Sequence, residues 1–99
     1  MVINWSEFAI ENLRDFIKIT KIYNIAEYTN ELFEYTDNLI NNNFLGKYIL
    51  TSNSYEIRQL VFKNHKILYY VCDNEIRILA LIHSSKDYGL ILKQMLKYL

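Results

Sequence analysis

Ninety-nine residues, 52% of them hydrophobic and 15% aromatic, suffice for one compact core and leave no room for a second domain, so residues 1–99 are expected to fold as one unit. A single cysteine excludes an intramolecular disulfide, no apolar run approaches the roughly 20 residues that cross a bilayer, and no basic segment precedes an apolar run at the amino terminus. The expected location is therefore the cytoplasm. Net charge is zero, yet residues 1–45 carry three basic against seven acidic side chains and residues 46–99 carry eight against four, which makes the second half the basic one.

Residues 2–5 alternate like a short strand. Ser6 followed by Glu7 marks a helix start, because the hydroxyl caps a free amide and the carboxylate sits in the first turn. Ala9, Leu13, Phe16, Ile17 and Tyr23 then recur at helical spacing, with Glu11, Asp15 and Lys18 opposite, predicting a helix over 7–23. Asn24 breaks that run. A second helix over 25–41 carries Ile25, Tyr28, Leu32, Tyr35, Thr36, Leu39 and Ile40, and the short connection predicts an antiparallel helical hairpin. The Asn41-Asn42-Asn43 run ends it, and a loop over 44–55 is expected, with Gly46 at a position that tolerates no side chain.

Residues 57–62, 66–71 and 76–82 are rich in β-branched and aromatic side chains and are separated by Lys63-Asn64 and Asp73-Asn74. Turns this tight permit only antiparallel hairpins. With Cys72 opposite Glu75, unbroken pairing puts Ile67, Tyr69 and Val71 on a core face with Ile76, Ile78, Ala80 and Ile82. The other face then collects Lys66, Leu68, Tyr70 and Cys72 beside Arg77, Leu79, Leu81 and His83. A last helix is expected over 84–99, with Tyr88, Ile91, Leu92, Met95 and Leu99 on one stripe, suited to covering that mixed face. The predicted class is α+β: an amino-terminal strand and helical hairpin packed on an antiparallel meander, then a carboxy-terminal helix. Periodicity does not say which sheet edge the first strand joins.

No HExxH, CxxC or HxH spacing offers a metal site, and no glycine loop cradles phosphate, so neither metal nor cofactor is expected. Ser84, His83 and Asp87 make a poor triad, since neighbours at a strand end point apart. Cys72, at a strand end, reads as a small hydrophobe rather than a nucleophile. What remains is a cationic set: Lys66 and Arg77 on the mixed face, His83 at its end and Lys86 just after. Such groups suit phosphate binding, charge stabilisation and proton donation in metal-free RNA cleavage, and equally suit an acidic protein surface. Structural roles compete for each: Arg77 as a partner of Glu75 or a cation over Tyr70, His83 as a packing histidine, Arg58 as a paired residue on core parity.

Ile3-Asn4-Trp5-Ser6 with Ala9 and Leu13, Leu45-Gly46-Lys47, Ile57-Arg58-Gln59-Leu60, His65-Lys66-Ile67-Leu68-Tyr69-Tyr70, and Ile76-Arg77-Ile78-Leu79 with His83 and Asp87 resemble, in that order, the RelE/ParE superfamily of type II toxins, most closely its ParE-like branch. The resemblance implies a toxin that inhibits DNA gyrase, is neutralised by a cognate antitoxin and forms a hetero-oligomer with it. Lys47, Lys66, Arg77, His83 and Lys86 are then target-binding candidates, and Leu68, Tyr70, Leu79 and Leu81 candidates for antitoxin contact. The alternatives are a RelE-like endonuclease cutting messenger on the ribosome through Lys66, Arg77, His83 and Lys86, or a degenerate non-toxic antitoxin-binding partner. Two departures weigh against cleavage: Lys66 and Lys86 stand where guanidinium groups are common, and Leu92 stands nearest the tyrosine that RelE-like nucleases carry in the final helix.

Overall fold

The computed structural model describes residues 1–19, 24–83 and 86–97. The elements run β1 (Val2–Trp5), α1 (Glu7–Ile19), α2 (Ile25–Asn41), β2 (Lys47–Ser52), β3 (Tyr55–Phe62), β4 (His65–Cys72), β5 (Glu75–His83) and α3 (Tyr88–Leu96). The expected extension of the first helix to residue 23, the Ser84 of the rejected triad and Leu99 of the last stripe lie outside the described residues.

Each helix opens on a side-chain cap, and α3 begins at Tyr88, later than the residue 84 expected of it. Ser6 Oγ accepts from the Ala9 amide at 3.0 Å and donates to the Leu79 carbonyl at 3.0 Å, so one hydroxyl both opens α1 and ties it to β5. Asn24, legible only as a break, is the N-cap of α2 and accepts from the Glu27 amide at 2.9 Å. Asp87 caps α3 through the Leu90 amide at 3.1 Å.

The sheet has five strands in the order β1-β5-β4-β3-β2. Strand β1 joins the β5 edge in parallel, pairing Val2 with Glu75 and Trp5 with Ile78, and the other pairs are antiparallel. Both predicted two-residue turns are present: Phe62 pairs with His65 and Cys72 with Glu75. Asp73 and Asn74 both have positive φ, 51° and 59°, as a type I′ turn requires.

Two expectations need correction. The loop over 44–55 contains a strand, β2, closed onto β3 by a further turn at Asn53-Ser54, both again at positive φ (49° and 70°). The alternation of Lys47–Ser52 is irregular because pairing shifts between Tyr48 and Leu50, which hides the period-2 signal. The second correction concerns β5. Tyr69 pairs with Ile78 but Leu68 pairs with Ala80, so Leu79 is an extra residue bulged out of the ladder. A one-residue slip reverses every later side chain. Ile76 and Ile78 keep the predicted face, whereas Ala80 and Ile82 cross to the other and Leu81 and His83 cross back.

Each face of the sheet carries its own apolar cluster. Ala9, Leu13, Leu32 and Leu39 of α1 and α2 pack on Leu60, Phe62, Ile67, Tyr69, Ile76, Ile78 and Leu81. Met95 of α3, flanked by Tyr88, Ile91, Leu92 and Leu96, packs on Ile57, Leu68, Tyr70, Leu79, Ala80 and Ile82, as expected of the last helix. Tyr69 anchors the link from α2 to β2: its fully buried hydroxyl accepts from the Gly46 amide and donates to the Asn43 carbonyl, each at 2.9 Å. A Cβ on Gly46 would lie 2.6 Å from Tyr69 Cε1 and 2.9 Å from the Gln59 carbonyl, so steric closeness explains this glycine.

Candidate functional site

The basic residues singled out by the sequence do not converge. Lys66 and Arg77 both point to the α3 side of the sheet, but Lys66 pairs with Ile82 while Arg77 pairs with Tyr70. Four residues of β4 separate these rungs, roughly 13 Å at strand rise. Lys66 lies over the Tyr88 ring, its Nζ 4.8 Å from the centroid. Arg77 donates to the Tyr70 hydroxyl at 3.1 Å and lies 3.5 Å from Glu75, and the Tyr70 hydrogen bond, with Glu75 behind it, raises its pKa further. Both structural roles anticipated for Arg77 are thus present. Arg58 is likewise paired, donating to the Gly46 carbonyl at 3.0 Å with its guanidinium 4.9 Å from the Phe44 centroid. Lys47 is exposed on the outer strand, away from all of these.

His83 is the clearest departure. Placed on the mixed face by unbroken pairing, it sits on the α1 side because of the Leu79 bulge, stacked on Phe16 at 5.7 Å and 25°. It is also the cross-strand partner of His65, with ring centroids 5.2 Å apart. His65 is only 2% exposed. Its Nδ1 meets the Tyr28 hydroxyl at 2.7 Å, Phe16 packs edge-on against it at 4.2 Å, and its Nε2 is buried without a hydrogen-bond partner. Burial, with His83 adding a smaller push, lowers the His65 pKa to about 4, and burial raises that of Tyr28 to about 12, so both are neutral near pH 7.

A cavity of about 100 Å³ opens beside this pair, between α1, the end of β5 and the start of α3, and Lys86 joins Asn12, Asp15, Phe16, His65 and His83 around it. Of the cationic set, then, the fold brings His83 and Lys86 together and leaves Lys66 and Arg77 apart from them. In the sequence His65 is marked only as the first residue of a strand segment. Its chemical setting depends on Tyr28 of α2 and on the β5 bulge, neither of which a local pattern encodes.

The residues proposed for antitoxin contact do not form an open groove. Leu68, Tyr70 and Leu79 are buried under α3, and Leu81 faces the helical pair on the opposite side. Exposed apolar side chains lie elsewhere, with Phe44, Leu45 and Tyr48 clustered in sequence ahead of and within β2. No group of three or more metal-binding side chains occurs among the described residues, and no described helix is long and apolar enough to cross a membrane.

A mixed five-stranded sheet with two helices between its first and second strands and a third after its last is the architecture expected of a RelE/ParE-type toxin. The family model described as the ParE toxin of the type II toxin-antitoxin system, parDE, matches residues 3–88, and the chain belongs to that family. It is thus the toxin component of a type II toxin-antitoxin system, and membership implies an antitoxin as its partner. No curated protein sequence matches the chain.

Proposed function

We propose that this toxin arrests growth in the cytoplasm by binding DNA gyrase without turnover, and that its antitoxin neutralises it by covering the binding surface. What supports a non-catalytic mode is the dispersal of the basic candidates: Lys66 and Arg77 are each engaged with a neighbouring ring and lie rungs apart, and His83 is across the sheet from both. General acid-base cleavage needs its groups within hydrogen-bond reach of one reacting centre, and these are not. Binding has no such requirement. Exposed Lys47 and Lys86 can contact an acidic or nucleic-acid-bearing target, and Lys66 and Arg77 can add to that contact from the α3 side. An antitoxin segment that reaches Leu68, Tyr70 and Leu79 must take the place of α3 on that face.

Supercoiling by purified gyrase is expected to stop when folded, antitoxin-free toxin is added and to recover when antitoxin follows. Undiminished supercoiling at a large molar excess of toxin overturns the proposal. Primer extension on translating messenger is expected to show no new ends in ribosomal A sites; new ends lost in Lys66→Ala and Lys86→Ala would replace gyrase inhibition with messenger cleavage.

A further inference from the structure

We propose that a second copy of this chain pairs with the open edge of β2, the two strands running antiparallel about a two-fold axis between Ile49 and Leu50, so that two five-stranded sheets join into one. Such a dimer of the free toxin is a property beyond gyrase inhibition and independent of it.

Strand β2 ends the strand order, with β3 on one side and no described strand on the other. Alternate backbone N–H and C=O groups of an edge strand point outward in the plane of the sheet, where another strand can take them up. This edge is nearly uncharged and flanked by apolar groups: Lys47 is the one charged residue of Lys47–Ser52, and Phe44, Leu45 and Tyr48 are 66%, 46% and 47% exposed. Phe44 and Tyr48 meet at Arg58, whose guanidinium lies 4.9 Å from the Phe44 centroid and whose cross-strand partner is Tyr48, so the two rings belong to one patch beside the edge. The opposite edge of the sheet, β1, offers only 4 residues.

Register and charge both fit a copy of the same strand. With the axis between Ile49 and Leu50, Lys47 lies opposite Ser52 of the second copy and Tyr48 opposite Thr51. The faces agree: Lys47 and Ser52 pair with Gln59 and Tyr55 on the α3 side, together with Ile57, whereas Tyr48 and Thr51 pair with Arg58 and Glu56 on the side of the helical pair. The pairing shift between Tyr48 and Leu50 falls on the axis, so the two bulges meet there and residues 47–48 of each copy are left to pair with 51–52 of the other. Charge selects this orientation. Parallel, in-register pairing would set the two Lys47 ammonium groups side by side, while the antiparallel one sets each against a hydroxyl. The Tyr48 hydroxyl already reaches Thr51 Oγ1 of its own strand at 2.7 Å, and the same two side chains face each other between the copies. A polyanion would find a single cation along this edge, which leaves a like strand the better match. Strands of this length span roughly 20 Å, too little for a stable interface by backbone pairing alone, and the Phe44 and Tyr48 rings, one pair towards each end, bring it into the range of a transient dimer.

The test is sedimentation equilibrium of the full-length, antitoxin-free toxin from about 1 to about 200 µM, with hydrogen exchange at both ends of that range. The expected result is a mean mass that rises from 11.9 kDa towards twice that value, half-complete at tens of micromolar on the order of a transient interface, and β2 amides that exchange more slowly at the high concentration. Tyr48→Lys and Thr51→Lys, both at exposed positions, are expected to keep the circular dichroism of the monomer and to weaken association about tenfold or more, whereas Val2→Lys on the β1 edge leaves it unchanged. A mass of 11.9 kDa at every concentration overturns the dimer, and association that persists in both lysine variants of β2 places it on another surface and overturns it equally. Protection of the β2 amides that appears only when antitoxin is added to a monomeric toxin gives the edge to the antitoxin and overturns the pairing of two copies. Gyrase takes no part in the measurement, so failure here is distinct from failure of gyrase inhibition.

Discussion

His65 shows how one side chain joins folding to chemistry. It is almost wholly buried, and its folded pKa of about 4 lies below the ordinary 6.5 because burial disfavours the imidazolium and His83 adds repulsion. In the unfolded chain the ring takes up a proton near pH 6.5, so the unfolded state binds more protons between the two values. The His65 contribution is therefore fully present above pH 6.5 and declines as pH falls towards 4, by about 3 kcal/mol at most. Urea midpoints measured across that range should fall with decreasing pH, and His65→Asn should flatten the part of the slope near pH 5–6. A slope unchanged in that variant would assign the acid sensitivity to other groups. The chain pattern places His65 beside the Lys63-Asn64 turn, but neither its depth nor its Tyr28 partner can be read there, because both come from α2 folding across the sheet.

Among the elements, α3 is the least self-sufficient. Its 9 residues are too few for an isolated helix to hold in water, so its order rests on the Asp87 cap and on burial of Met95 among Ile57, Leu68, Tyr70, Leu79, Ala80 and Ile82. Met95→Ala should cost about 2–5 kcal/mol and raise hydrogen exchange in α3 first, while amides of β4, buried between two layers, stay protected. Simultaneous loss of protection in both would mean that α3 does not open separately. The apolar stripe of α3 and the stripes of α1 and α2 were legible because helical periodicity is a local property. Strand β2 was not, since a register shift between Tyr48 and Leu50 breaks the alternation that would mark it.

At the scale of the molecule, one sheet serves two apolar clusters, the helical pair on one face and α3 on the other. Trp5, edge-on to Phe33 at 5.4 Å, reports the helical-pair side alone. Because both clusters share β3, β4 and β5, Trp5 fluorescence and far-ultraviolet circular dichroism should give coincident urea transitions, and separated midpoints would show that the two layers unfold independently. The charge division follows the same plan only in part: acidic side chains dominate α1 and α2, but basic ones are scattered over both faces of the sheet and its outer edge rather than gathered in one patch. Helical stripes, two-residue turns, the three-strand meander and the resemblance to ParE-like toxins are legible in the chain alone, since turn residues and periodicity act over a few neighbouring positions. The parallel placement of β1 on β5, the addition of β2 to the sheet and the Leu79 bulge that turns His83 towards His65 come from packing in three dimensions. A bulge is chosen by how well both faces pack at once, and no local stretch of chain holds that information.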